Sequence, residues 1–542
     1  PADGPNGHEL YPFHKKNFAP RLAIAYSPQA DSGFLKWLTG GPGKTSIRAG
    51  WGMFYDLFGA GIIRALDSSR SGPSASIGNP PGGFDTRTTP RFVNLTTIPS
   101  VLLPAPPRLS YPRVPDLNGF LIDTLAEPSL RPPFTMNMNF QVGREFSSGW
   151  YLQAAYVGRL SRRSLVQRDL AMPTNLRDPQ SGQTYFEAAS ILGAQALAEV
   201  PVASVRPVPF FENLWAGART ATLSPTQAVY NRFLINAPDF TSALQNIDQQ
   251  CRPACSSRGP YSIFNSQYSF LAAFSSIGFG SYHGLQLTAR KRFSGGLQAD
   301  FNYTWSKSID LTSGAERNGA GWGGGFAFNS WEARLNRGVS DYDLRHQANA
   351  NWYYQLPFGR GKKFGSGMNR ILDAVVGGWE VSGVFTMTSG IPRNAGVGLN
   401  WPTNWNLTGW ATANRDPMQF VAATGSNKNT AGLTAGTSGP NVFVNAQQGL
   451  DSYSFTLPGQ IGSRAALRTD GYFNIDGGLY KRFTMPYKDN HTLQFRWEIY
   501  NLTNTARMAS PQLSIADSGT FGNYQGQLTD PRVMQFALRY EF

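Results

Sequence analysis

The sequence predicts an all-β chain, an antiparallel up-and-down transmembrane β-barrel represented here in part. Three observations carry that reading. Eleven segments of about ten residues alternate apolar and polar side chains, the length and pattern of a tilted strand that crosses a bilayer. The connections between them alternate between short and long. No run of about 18 apolar residues occurs, so the chain cannot cross as a helix, whereas a barrel strand is apolar only at every second position.

In order, the segments begin with "NFAPRLAIAYSP" (17–28), "KTSIRAGWGMFYD" (44–56), "FTMNMNFQVGREF" (134–146) and "GWYLQAAYVGR" (149–159). Next come "SYHGLQLTARKRF" (281–293), "GLQADFNYTWSK" (296–307), "DLRHQANANWYYQLPFG" (343–359) and "GGWEVSGVFTMTSG" (377–390). The last three are "DGYFNIDGGLYKRF" (470–483), "HTLQFRWEIYNL" (491–502) and "PRVMQFALRYEF" (531–542). The alternation is sharpest where Leu297, Ala299, Phe301, Tyr303 and Trp305 interleave with Gln298, Asp300, Asn302 and Thr304. One wet face would also suit a soluble sandwich, so connection lengths decide. A meander gathers its short turns at one end and its long loops at the other, the asymmetry of outer-membrane barrels. The long loops are expected at about 57–133, 160–280, 308–342, 391–469 and 503–530. Tyr303, Trp305, Tyr480 and Tyr540, near strand ends, fit interfacial girdles.

Parity adds an expectation. Barrels of this kind have an even number of strands with both termini on one side, so eleven strands are an incomplete set. "PADGPNGHEL" has neither a basic nor an apolar signal region and no initiator Met, so the chain is expected to begin inside a longer protein.

Composition narrows the function classes. The charge of +14 invites a nucleic-acid reading, but the basic residues are scattered and no nucleic-acid module accompanies them. A basic surface suits anionic outer-membrane lipid and lipopolysaccharide instead. Charged residues are few, at 15%, and mean hydropathy is −0.31. Cys251 and Cys255, in "CRPAC", fit a local disulfide in an oxidising compartment or a pair of free thiols; two ligands are too few for zinc. "GGPGKTS" (40–46) lacks the first glycine of a phosphate loop, where Leu38 stands, and precedes a strand, so it reads as a turn. His8, His14, His283, His346 and His491 show no metal-ligand spacing. "DYDLRH" (341–346) is expected at a strand entrance as a solvated charge cluster. With no nucleophile elbow and no zincin motif, no enzymatic chemistry, cofactor or metal is expected. The asparagine sequons at Asn94, Asn406, Asn490 and Asn501 read as turn chemistry.

Two loops are rich in Gly and Trp, "GAGWGGGFAFNSWE" and "GLNWPTNWNLTGW". They make Trp322, Trp331, Trp401, Trp405 and Trp410 candidate ligand contacts, since an indole offers a rigid stacking face with a polar handle. The competing expectation is that these rings pack loop on loop.

Several stretches, taken in order, resemble the Oar-like group of TonB-dependent outer-membrane receptors. They are "DLRHQANANWYYQLPFGRGKKF" (343–364), "GGWEVSGVFTMTSGIP" (377–392), "LRTDGYFNIDGGLYKRF" (467–483), "LQFRWEIYNLTNTARM" (493–508) and "FGNYQGQLTDPRVMQFALRYEF" (521–542). The resemblance implies a 22-stranded barrel closed by an N-terminal plug, with these eleven segments as its last strands. The family's plug, TonB box and N-terminal domain have no counterpart in this sequence. It also implies an outer-membrane receptor that binds an extracellular ligand for uptake powered by a TonB-type energy transducer acting through the missing N-terminal part. A surface adhesin or secretion-linked barrel is the alternative, and a soluble β-rich carbohydrate-binding protein is a third. In the closing strand, Met534, Phe536, Leu538, Tyr540 and Phe542 are expected to face lipid and to serve as the C-terminal signal for barrel-assembly machinery.

Overall fold

The computed structural model describes residues 14–57, 62, 122–265, 268, 270–313, 325–400, 408–422, 440–485 and 491–542. Its frame is a meander of eleven antiparallel strands, each paired with its neighbours in sequence. They are β1 (Arg21–Tyr26), β2 (Thr45–Tyr55), β3 (Phe134–Glu145), β4 (Trp150–Asp169), β5 (Phe270–Ser294) and β6 (Leu297–Asp310). β7 (His346–Gln355), β8 (Trp379–Thr388), β9 (Tyr472–Thr484), β10 (Thr492–Tyr500) and β11 (Val533–Glu541) complete it. All eleven alternating segments are strands. Among the described residues, β1 and β11 each pair along one edge only.

Register keeps the two faces distinct across the sheet. One row runs Ile24↔Ala49↔Phe140↔Tyr156↔Leu285↔Trp305↔His346. Further along, Leu479↔Trp497↔Phe536 continue the same face. The other face reads Gln153↔Thr288↔Asn302↔Asn349↔Thr386↔Asn474. A slip of one residue anywhere would send polar groups into the apolar face, so the alternation itself fixes the pairing. Tyr480 is the exception to the girdle expectation. It pairs with Glu380 and Arg496 on the polar face, and its hydroxyl accepts from Ser382.

The short connections lie at one end. The tightest is Gly295–Gly296, where both residues have positive φ (60° and 82°), the geometry of a two-residue hairpin that twists with its strands. Two longer turns at this end carry helices, α1 (Gly33–Thr39) and α6 (Arg370–Val376).

The loop end is more structured than the alternation suggests. β4 and β5 run past the expected boundaries at 159 and 281, so the connection expected over 160–280 shrinks to 170–269. That connection is a helical insert with α2 (Tyr185–Leu197), α3 (Pro209–Leu214), α4 (Pro225–Asn236) and α5 (Phe240–Leu244). Two of them, α2 and α4, start at capping boxes, Thr184 with Glu187 and Ser224 with Gln227, each satisfying two otherwise unpaired N–H groups. Tyr185, Phe210, Phe211, Trp215, Tyr230 and Phe233 are fully buried in its apolar core. A second, smaller core joins the β8–β9 and β10–β11 loops around Val442, Phe443, Leu467 and Phe521.

Candidate ligand-facing surface

The polar face is a lattice of short hydrogen bonds. Arg290 Nε donates to Asp300 Oδ2 at 2.7 Å, and Thr288 Oγ1 to Asn302 Oδ1 at 2.9 Å. Asn302 Nδ2 reaches Asp300 at 2.6 Å and Asn349 at 3.2 Å. Arg496 pairs with Glu498, which also accepts from Gln535. On this face a hollow of about 350 Å³ opens between β6 and β10, lined in part by Tyr353, Ser382, Asp476, Tyr480, Glu498 and Tyr500. Gly478 leaves the wall thin there, and the Tyr480 ring lies over it. Hydroxyls and carboxylates in one concavity can both donate to and accept from a polar ligand.

The loops above are clamped together. Arg464, in the β8–β9 loop, has a side chain only 4% exposed and pairs with Asp310 at 2.6 Å. Its Nη1 also donates to the carbonyls of Asp310, Leu311 and Asn336 at 3.0–3.1 Å, and its Nη2 to Ser313. Arg468 pairs with Asp343 and donates to the carbonyl of Gly390. The Asp341–His346 stretch does stand at the entrance of β7, but it is not a solvated cluster, because Asp343 is buried. A buried carboxylate needs a partner, and Arg468 supplies it. Burial also raises the pKa of Asp341, a shift that Arg464 opposes. Asp470, raised by burial, accepts the Tyr524 hydroxyl at 2.7 Å.

Of the candidate tryptophans, Trp331 and Trp410 are described; Trp322, Trp401 and Trp405 lie outside the described residues. Trp331 donates its indole N–H to the Pro173 carbonyl of the insert at 3.0 Å, with about half of the residue exposed. Trp410 meets Phe328 edge to face at 4.7 Å, beneath the Arg464 guanidinium. Both rings therefore take part in loop-to-loop packing, and Trp331 keeps the larger exposed surface. Cys251 and Cys255 form a disulfide within the insert. There the buried Asp248 carboxylate accepts from the backbone N–H groups of Ser262, Ile263 and Phe264 at 2.8–3.0 Å. The insert is a part of this surface that strand alternation misses, although "TYFE" and "SPTQ" are helix-start signatures in the sequence. In β11, Met534, Phe536, Leu538 and Tyr540 are on the apolar face, with Phe536 stacked on Trp497 at 5.6 Å. Phe542 follows the strand, 87% exposed and stacked on Tyr540.

An eleven-strand meander with one apolar face, one polar face and all its long loops at one end is the build of a barrel wall. The sequence model of a family described as "Outer membrane beta barrel domain" matches residues 1–535. The chain belongs to this family. As an outer membrane beta barrel domain it resides in the outer membrane of Gram-negative bacteria, with the apolar face toward lipid and the polar face toward the lumen. Among solved structures it is similar to the outer membrane transporter YddB from Escherichia coli, at 9% identity over 91% of this chain and 39% of that one, TM-score 0.34. It is also similar to the siderophore receptor PirA from Acinetobacter baumannii, at 9% identity over 97% of this chain and 41% of that one, TM-score 0.35. A third is the siderophore receptor PiuA from the same organism, at 8% identity over 96% of this chain and 35% of that one, TM-score 0.34. The chain thus spans about two-fifths of the length of these proteins or less. No curated protein matches it by sequence.

Proposed function

We propose that this domain is the C-terminal part of the barrel of a TonB-dependent receptor of the Oar-like group. In this reading its loop end is extracellular and its short turns are periplasmic. A scarce ligand binds the clamped loops and the barrel mouth, with Trp322, Trp331, Trp401, Trp405 and Trp410 as candidate contacts. The polar wall then lines its route inward. The plug and TonB box belong to a more N-terminal part of the same protein, which engages the energy transducer. The barrel binds and conducts and performs no bond chemistry. One observation carries the proposal: structured loops at a single end stand over a wall whose other face is mostly polar and laced with side-chain hydrogen bonds.

Gene deletion in the host tests it. Growth on limiting iron or limiting oligosaccharide should fall, and the intact gene should restore it only when a functional TonB-type transducer is present. Normal growth accompanied by lost cell-to-cell or matrix attachment would replace uptake with adhesion.

A further inference from the structure

The two long turns at the short-connection end share a construction that barrel closure does not require. Each carries a seven-residue helix whose apolar side chains meet solvent. In α1 Phe34, Leu35, Trp37 and Leu38 are exposed, and in α6 Ile371, Leu372 and Val375 are exposed, Ile371 to 81%. Neither helix buries an apolar face against the sheet.

Both are held by their C-terminal carbonyls, and the donors come from the lipid-facing side of the wall. Arg144, which pairs with Leu152 on that face, donates to the Leu38 carbonyl at 2.8 Å and the Trp37 carbonyl at 3.3 Å. Lys481, which pairs with Trp379 on the same face, donates to the Gly377 carbonyl at 2.6 Å. Trp379 adds its indole N–H to the Val375 carbonyl at 2.8 Å. A cation at a helix C-terminus is favourable in itself. Here it also moors each helix beside the outer surface of the wall, next to the apolar face of the strands. The Ser147–Gly149 turn repeats the device without a long helix. Lys291, again on the lipid-facing side, donates to the Ser148 carbonyl and lies near the Trp150 ring.

We infer that α1 and α6 are interfacial anchors, lying in the headgroup region of the leaflet at the short-turn end and inserting their apolar side chains beside the barrel. Two arguments select a lipid leaflet as the occupant. The exposed apolar surface is continuous with the lipid-facing face through Arg144, Trp379 and Lys481. The same turns carry exposed Lys36, Lys44, Arg360, Lys362, Lys363 and Arg370, which match anionic phospholipid headgroups. An amphipathic segment with apolar residues at the acyl boundary and cations above it is the pattern of interfacial binding.

The test places single cysteines at Leu35 (Leu35→Cys) and Ile371 (Ile371→Cys) in the full-length protein and labels them with an environment-sensitive fluorophore in native outer-membrane vesicles. The chain's own two cysteines are consumed in the disulfide. Phe301→Cys, on the lipid-facing side of β6, and Leu528→Cys, on an exposed loop, serve as reference positions. Lipid carrying a nitroxide near its headgroup should quench the probes at 35 and 371, while aqueous iodide should quench them at least threefold less than the probe at 528. Iodide quenching at 35 and 371 equal to that at 528 would overturn the inference and leave a soluble partner or a second copy as the occupant. Protection at one position alone would also overturn it as a shared device. Failure of the probe at 301 to respond to the lipid quencher would overturn the membrane-spanning assignment itself.

Discussion

At residue scale, one buried carboxylate, Asp248, ties the end of the helical insert together. Asp248 accepts three backbone N–H groups and the Ser262 hydroxyl, the last at 2.8 Å, inside the insert. Asp248→Ala would leave those donors buried without an acceptor, at about 1–3 kcal/mol for each one unsatisfied. The expected outcome is an insert that melts before the wall, followed by near-ultraviolet circular dichroism on heating. Burial raises the Asp248 pKa despite its hydrogen bonds. A raised carboxyl favours the folded state fully below the ordinary value of about 3.9, and that contribution fades as pH climbs through the folded value. The stability of the insert should therefore fall as pH rises from the ordinary carboxylate value through the raised folded one and level off beyond it, and Asp248→Asn should flatten the slope. None of this was visible in the sequence, where Asp248 is one acid in a polar stretch. Its importance comes from three amides more than a dozen residues away.

At element scale, the strand faces make a contrasting pair of predictions. Phe301 faces lipid and Asn302 faces the lumen, although the two are adjacent in β6. Phe301→Arg should destabilise the folded barrel by about 2–4 kcal/mol if it sits near the bilayer midplane. Asn302→Arg should cost far less, because its surroundings are already polar and hydrogen-bonded. Urea titration of heat-modifiable mobility on gels distinguishes the two, and equal losses would reverse the face assignment. The strands were legible because a period of two survives any background composition, and all eleven segments stand where alternation put them. The insert is not, because α2 and α4 follow a helical period that alternation of two does not register. The capping boxes that begin them were written in the sequence but carry no weight in a search for alternation. Tyr480 shows a further limit: an aromatic near a strand end has no sidedness until register is known, and register placed it beside Arg496.

At the scale of the whole molecule, Arg464 links elements that are far apart in sequence. It ties the β8–β9 loop to the end of β6 and to the β6–β7 connection, and neighbouring residues of the same loop reach the insert and that connection as well. Ser190 donates to the Pro458 carbonyl at 2.8 Å, and Asn329 to the Gly459 carbonyl at 3.3 Å. Removing one partner of a buried ion pair costs about 3–5 kcal/mol, because the other charge stays behind unpaired. Arg464→Ala should therefore loosen the loop end as a unit while the wall stays folded. Limited proteolysis of outer-membrane vesicles would show faster cleavage between 390 and 470 with an unchanged barrel core. Trp331 and Trp410 lie in the long connections where they are expected. Whether a ring stacks on a neighbour or faces outward depends on which loops meet, and that is set by clamps such as this one.

The β4–β5 hairpin outlasts the span that a membrane strand needs. β5 has 25 residues, and at about 3.3 Å each they trace roughly 80 Å of strand, whereas about ten residues suffice to cross the hydrocarbon. The remainder forms a stiff mast with the helical insert at its head. With the loop end outside the cell, as proposed above, such a mast would work as a periscope. It would hold the well-packed insert, with its short Cys251–Cys255 disulfide loop, away from the bilayer, where antibodies and neighbouring cells could reach it.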